Sequence, residues 1–154
     1  MSPDSKVWIY QSSREFTENE KAEIMERGAA FVSGWNAHGR MLKAAIEVLH
    51  KRFILFTVDE SYAMATGCSI DKSVAFIKDI EKAFSINLLD RMQIAYKNNN
   101  TINTTSLSDF ENLLKTGLVN ENTIVYNNLV ATQSEFETSW ETTVKESWHK
   151  ALLP

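Results

Sequence analysis

The strongest constraint on the fold is a run of six residues that is apolar on both faces, Phe53-Ile54-Leu55-Phe56-Thr57-Val58. A strand of this kind is buried from both sides, so it belongs in the middle of a sheet. The segment before it alternates, with Leu42, Ala44, Ile46 and Val48 on one face and Lys43 and Glu47 on the other. The turn at Lys51-Arg52 is short, and a short connection requires the two strands to pair antiparallel.

The remaining segments predict further strands and helices in irregular alternation. A capping box formed by Thr17 and Glu20 indicates the start of the first long helix, and we expect a second box over residues 108–111. Another helix should begin near Ser69. The other predicted strands are residues 7–10, 92–96 and 123–126, and a last helix should open near Thr132.

These elements predict an α+β fold, in which a mainly antiparallel sheet has helices packed on one face and a smaller C-terminal lobe has the order helix, strand, helix. We expect the main core over residues 1–97. Residues 98–105 are rich in Asn and Thr, which is typical of a polar loop. Residues 106–154 would then form the lobe that completes the same domain, since 154 residues suit one ordinary core better than two.

Composition restricts the partners and the compartment. A net charge of -4 and a pI near 5.4 argue against a nucleic-acid surface or an anionic membrane surface, because both usually require a basic patch. No apolar run approaches the roughly 20 residues that span a membrane. The N-terminus lacks the apolar stretch of a secretory signal, and a single cysteine cannot form an internal disulfide. We therefore expect a cytoplasmic protein that binds neither nucleic acid nor membranes.

The octapeptide Thr66-Gly67-Cys68-Ser69-Ile70-Asp71-Lys72-Ser73 is the segment richest in chemically useful side chains. Its Lys72-Ser73 end resembles the end of a P-loop, which needs glycine directly before the lysine so that backbone amides can surround the phosphates. Here that position is Asp71, whose carboxylate would repel phosphate. We therefore predict no nucleotide-binding P-loop and no cofactor.

Cys68 is the candidate nucleophile. With Ser69 as the helix N-cap, Cys68 would lie beside amides that stabilise a thiolate. His38, in a loop after the first helix, is the best general base, and the amides of Ser69 and Ile70 would form an oxyanion hole. The simpler interpretation is a small cysteine that packs in the corner between a strand and a helix.

Carboxylates form the other candidate site. Asp59 and Glu60 end the central strand, and Asp71 lies near the start of the following helix. Such groups could converge at one edge of the sheet and bind a divalent cation or act as an acid–base pair. Asp71 also has an ordinary role, since a negative charge in a first helical turn is favourable. Because no calcium-loop or His-x-x-x-His spacing occurs, we predict no metal site.

Four segments resemble a group of bacterial cytosolic proteins of unknown activity that are often labelled "ABC transporter ATPase". They are Val7-Trp8-Ile9-Tyr10-Gln11-Ser12-Ser13-Arg14, Trp35-Asn36-Ala37-His38-Gly39, Val58-Asp59-Glu60-Ser61 and Gly67-Cys68-Ser69-Ile70-Asp71-Lys72-Ser73. The resemblance implies no catalytic residue. The ATPase label has no support in the residues, because the P-loop fails and no Leu-Ser-Gly-Gly-Gln signature occurs.

Three functional hypotheses follow. The first is a binding protein for a small-molecule ligand, with a polar pocket at the sheet edge lined by His38, Asp59, Glu60, Cys68, Ser69, Asp71 and Lys72. The alternative is a thiol-dependent hydrolase or group transferase that uses Cys68 and His38. The third is an interaction module that acts through exposed aromatic residues, of which Trp148 is the one expected to be partly exposed. The sequence leaves the oligomeric state open, with a dimer among the options.

Overall fold

A computed structural model describes all residues from 1 to 154 and has the predicted α+β architecture. The strands are β1 (Lys6–Gln11), β2 (Asn36–Ala37), β3 (Arg40–Met41), β4 (Lys43–Leu49), β5 (Phe53–Asp59), β6 (Gln93–Asn98), β7 (Thr101–Ser106), β8 (Ile124–Tyr126) and β9 (Glu141–Thr143). The helices are α1 (Glu18–Gly34), α2 (Gly67–Phe84), α3 (Leu107–Thr116) and α4 (Gln133–Ser139), and two short 3-10 helices cover Val144–Glu146 and Trp148–Leu152.

The chain divides into two compact units. The first unit contains Met1–Leu89 with Ala131–Ser134, and the second contains Asp90–Val130 with Glu135–Pro154. The expected boundary at residue 97 is therefore displaced, because the strand predicted over residues 92–96 belongs to the second unit. That strand is β6, and it pairs with β7 and β8 rather than with the strands of the first unit.

The first unit contains a three-stranded antiparallel sheet in the order β1-β5-β4. Its central strand is β5, and all seven of its residues are buried, which confirms the prediction made from the apolar run. The register pairs Ile46 of β4 with Phe56 of β5. The turn closes through a hydrogen bond from Arg52 N–H to the Leu49 carbonyl oxygen.

Two long helices cover the same face of this sheet. The Phe56 ring contacts Phe31 of α1 and Phe76 of α2, with ring centroids 5.7 and 5.9 Å away. Trp35, directly after α1, lies 5.6 Å from the same ring. These aromatic contacts, with their edge-on geometry, form the centre of the core.

The two helices begin at reciprocal capping boxes. Thr17 and Glu20 form the one at α1, as predicted, and Glu20 also accepts two hydrogen bonds from Arg14. The Arg14 contacts lower the Glu20 pKa to about 2. At α2 the N-cap is Thr66, and its partner at the third helical position is Ser69, so the expected start near Ser69 is wrong by one turn.

Gly28 allows α1 to approach β4 closely. A Cβ atom at this position would lie 2.4 Å from Ile46 Cδ1 and 3.1 Å from Ile46 Cγ2. Rotation about χ2 can move Cδ1 away, whereas Cγ2 is bonded directly to Cβ and moves only with a change of χ1 or of the backbone.

We therefore expect Gly28→Ala to lower the free energy of unfolding by about 1–3 kcal/mol through overpacking. Gly34 is the matched control, because nothing lies within 4 Å of its Cβ position. Gly34→Ala should leave stability unchanged or raise it by up to about 1 kcal/mol, as alanine favours helix. Urea unfolding of both variants measures the difference, and equal effects at the two positions would contradict this packing.

The second unit contains a four-stranded antiparallel sheet in the order β7-β6-β8-β9, with α3 following β7. The polar loop expected over residues 98–105 is wrong, because residues 101–105 belong to β7. Asn99 and Asn100 both have positive φ, 51° and 65°, which is the geometry of a two-residue hairpin turn. The β-branched residues after this turn favour a strand in spite of their polarity.

Helix α3 also begins earlier than expected. The side chain of Ser106 caps α3 by accepting a hydrogen bond from Asp109 N–H, so the predicted box over residues 108–111 is displaced by two residues. The helix ends at Gly117, whose φ of 82° is in the left-handed region. Phe110 and Leu114 of this helix are buried together with Val125 and Val144. None of the helices of the chain combines the length and apolar character needed to cross a bilayer.

Candidate functional site

Asp59 ends the buried strand β5 and is itself buried. Its Oδ1 accepts hydrogen bonds from Ser61 N–H at 3.0 Å and from Ser61 Oγ at 2.6 Å. Lys43 Nζ lies 3.6 Å from the other carboxylate oxygen. The two bonds from Ser61, aided by Lys43, lower the pKa of Asp59. This carboxylate thus fixes the first turn of the loop that leaves the sheet.

Glu60 fixes the other end of the same loop. Its Oε2 accepts a hydrogen bond from Ala65 N–H at 3.0 Å, and Ala63 between them is buried. The loop over residues 59–66 is thus closed by two side chains of its own. Neither carboxylate is directed to a shared site, and no three His, Cys, Asp or Glu side chains come together in a way that could hold a metal ion.

The start of α2 is equally constrained. Thr66 N–H donates to Ser69 Oγ at 2.6 Å, and Ser69 N–H donates to Thr66 Oγ1 at 3.3 Å. The Ile70 amide donates to the Thr66 carbonyl oxygen. The amides of Ser69 and Ile70 are therefore occupied, so the oxyanion hole expected from them is wrong.

Trp35 connects this helix start to the end of α1. Its Nε1–H donates a buried hydrogen bond of 2.8 Å to the carbonyl oxygen of Ser69. Ser69 therefore acts through both its side chain and its backbone in positioning the segment. Asp71 and Lys72 lie beyond the first turn of α2 and are exposed, so the expected helix-start role of Asp71 is wrong.

Cys68 and His38 are both exposed. Cys68 occupies the second position of α2, inside the helix rather than before it. His38 lies in the turn between β2 and β3 with a φ of 52°. No hydrogen bond joins the two side chains, and neither makes one with any other residue. The geometry supplies Cys68 with access but with no positioned base.

Three apolar side chains that were not among the predicted site residues are exposed on this loop and on β3. Tyr62 is 63% exposed, Met64 is 68% exposed, and Met41 on β3 is 45% exposed. The β2–β3 hairpin is joined to the loop by Arg40 Nη2, which donates to the Tyr62 carbonyl oxygen at 3.3 Å. We call Tyr62 and Met64, two residues apart on this loop, the apolar patch. In the sequence, the only indication of this exposure is that a tyrosine and a methionine lie in a short segment without helical or strand periodicity.

A separate polar pair lies in the second unit. His149 is 1% exposed, and its Nδ1 lies 2.6 Å from Ser147 Oγ. The ring stacks on Trp148 and meets the Phe110 ring edge-on. Burial lowers the pKa of His149 to about 4, so the imidazole is neutral near pH 7. Trp148 is 37% exposed, as predicted for this residue.

No protein-family description, no curated protein and no solved structure matches the chain.

Proposed function

We propose that this chain is a non-catalytic binding protein that recognises a segment of another protein through the apolar patch. The supporting observation is that the polar and the apolar side chains of one short loop have different environments. Asp59 and Glu60 are used to close the loop, while Tyr62 and Met64 expose most of their surface at its tip. The loop is thus held in shape by its polar groups, and its apolar groups stay available.

Large exposed apolar side chains on an ordered loop suit protein recognition. Tyrosine contributes a large rigid contact with a polar end, and methionine adapts its shape to different partners. A loop that is already ordered loses less conformational entropy on binding than a flexible one. The exposed thiol of Cys68 is compatible with a reducing compartment such as the cytoplasm.

The proposed binding surface differs from the polar pocket expected at the sheet edge. Asp59, Glu60 and Ser69 already have hydrogen-bond partners within the chain, so a small polar ligand would have to displace them. His38, Cys68, Asp71 and Lys72 are exposed and are therefore available for the polar rim of such an interface.

Photo-cross-linking tests the proposal directly. Tyr62 replaced by p-benzoylphenylalanine should give a defined adduct in an extract of the source cells, whereas the same group at Lys78, exposed on α2, should not. Unlabelled wild-type protein should suppress the adduct by competition. The Tyr62→Ser/Met64→Ser double variant should compete about tenfold less well or worse, because it removes two exposed anchor side chains.

The control for fold is the far-ultraviolet circular dichroism of the double variant, which should match that of the wild type since both side chains are exposed. Cys68→Ser should compete as well as the wild type. If Cys68→Ser abolishes competition while the double variant does not, the thiol-dependent alternative gains support instead. Identical adducts from positions 62 and 78 would refute the apolar patch as the binding surface.

A further inference from the structure

The strand β4 forms an edge of the first unit's sheet. The order β1-β5-β4 leaves its outer side without a neighbouring strand. The outward backbone groups of residues 44–48 have no hydrogen-bond partner in the chain. Such an edge is a ready template for pairing with another strand.

The charges on β4 are arranged so that they complement a second copy of the same strand. Lys43 and Glu47 are exposed and four residues apart, so they share one face of the strand. In an antiparallel pair of two β4 strands centred on Ala45, Lys43 of each copy lies directly opposite Glu47 of the other. Ala44 then lies opposite Ile46. A two-fold axis makes both ion pairs equivalent.

We propose that the protein forms a symmetric dimer through antiparallel β4–β4 pairing with Ala45 on the two-fold axis. The pairing joins two three-stranded sheets into one of six strands and supplies partners for the outward backbone groups. Each cross-strand pair of opposite charges stabilises the interface. An edge with charges of one sign would repel its own copy, whereas this edge carries one charge of each sign.

The helix above β4 is compatible with this arrangement. Because α1 packs on β4 through Gly28 and Ile46, dimerisation brings the two copies of α1 close together. The exposed residues of α1 include four with short side chains, which permit a small separation between helices: Ala22, Ala29, Ala30 and Ser33.

Cysteine cross-linking distinguishes this register from others. In a Cys68→Ser background, Ala45→Cys places two thiols directly opposite each other at the axis, within the reach of a disulfide. Glu47→Cys is the matched control, because in this register the two copies of position 47 are about 14 Å apart. Mild oxidation of the full-length chain should give a disulfide-linked dimer with the first variant and not with the second.

Sedimentation velocity provides an independent measurement. The wild type should sediment as a dimer. Glu47→Lys places two like-charged pairs across the axis and should raise the dimer dissociation constant about tenfold, which corresponds to about 1.4 kcal/mol. A wild-type protein that remains monomeric overturns the proposal, and so does equal cross-linking at positions 45 and 47.

Discussion

Replacing Trp35 by alanine should lower the free energy of unfolding by about 3–5 kcal/mol, the usual cost of removing a large buried aromatic side chain. The ring is fully buried and contacts Phe31, Phe56 and Trp8. The substitution also removes the donor to the Ser69 carbonyl oxygen. For a domain of this size, such a loss is a large part of the total stability. Urea unfolding followed by circular dichroism measures it.

Trp148→Ala is the matched control, because Trp148 is the partly exposed indole of the second unit. It should lower the free energy of unfolding clearly less than Trp35→Ala does. Trp35→Phe separates the two contributions of Trp35, since it keeps much of the aromatic contact but removes the hydrogen bond. If Trp35→Phe is as unstable as Trp35→Ala, the hydrogen bond has the main role. Equal losses of unfolding free energy for the alanine variants at positions 35 and 148 would contradict the described core.

Acid should destabilise the protein through His149, by up to about 3 kcal/mol as the pH falls from 7 to 4. The folded protein holds this imidazole neutral with a pKa of about 4, whereas in the unfolded chain it titrates near 6.5. The unfolded state therefore binds more protons between these values. The contribution of the neutral imidazole to the free energy of unfolding is fully present above about pH 6.5. It decreases as the pH falls and is lost once the pH has passed through the folded pKa of about 4.

His149→Asn isolates this effect, because its amide can keep the contact with Ser147 Oγ but does not titrate. Unfolding free energies of both proteins should be measured from pH 7 to pH 4. We expect the difference in unfolding free energy between the two proteins to change by up to about 3 kcal/mol across this range, because only the wild type can take up a proton at position 149. Carboxylates such as Glu20 and Asp59, whose pKa values are lowered, affect both proteins alike. Parallel curves would show that His149 is not responsible.

The sequence predicts the first unit better than the second, for a physical reason. The run over residues 53–58 and the Thr17–Glu20 capping box are strong local signals, and both lead to the observed elements. In residues 98–105, polarity favours a loop, while β-branched side chains and two asparagines able to adopt positive φ favour a hairpin. Pairing with β6 decides this competition in favour of the strand.

For the candidate site, the sequence identifies the segment but not the roles of its residues. Asp59 and Glu60 are visible as carboxylates at a strand end, but nothing in the pattern shows that Ser61 and Ala65 donate to them. The exposure of Tyr62 and Met64 depends on the path of the loop, and this path follows from those same hydrogen bonds. Patterns of residue type therefore favour a polar site in a segment whose fold exposes two apolar side chains.

The closed loop also has a kinetic consequence. Because Asp59 and Glu60 already hold residues 59–66 in place, the proposed docking through this loop requires no slow rearrangement. Association through Tyr62 and Met64 should then occur in a single step whose observed rate rises linearly with partner concentration. The lifetime of the complex, rather than the speed of its formation, would distinguish a strong partner from a weak one.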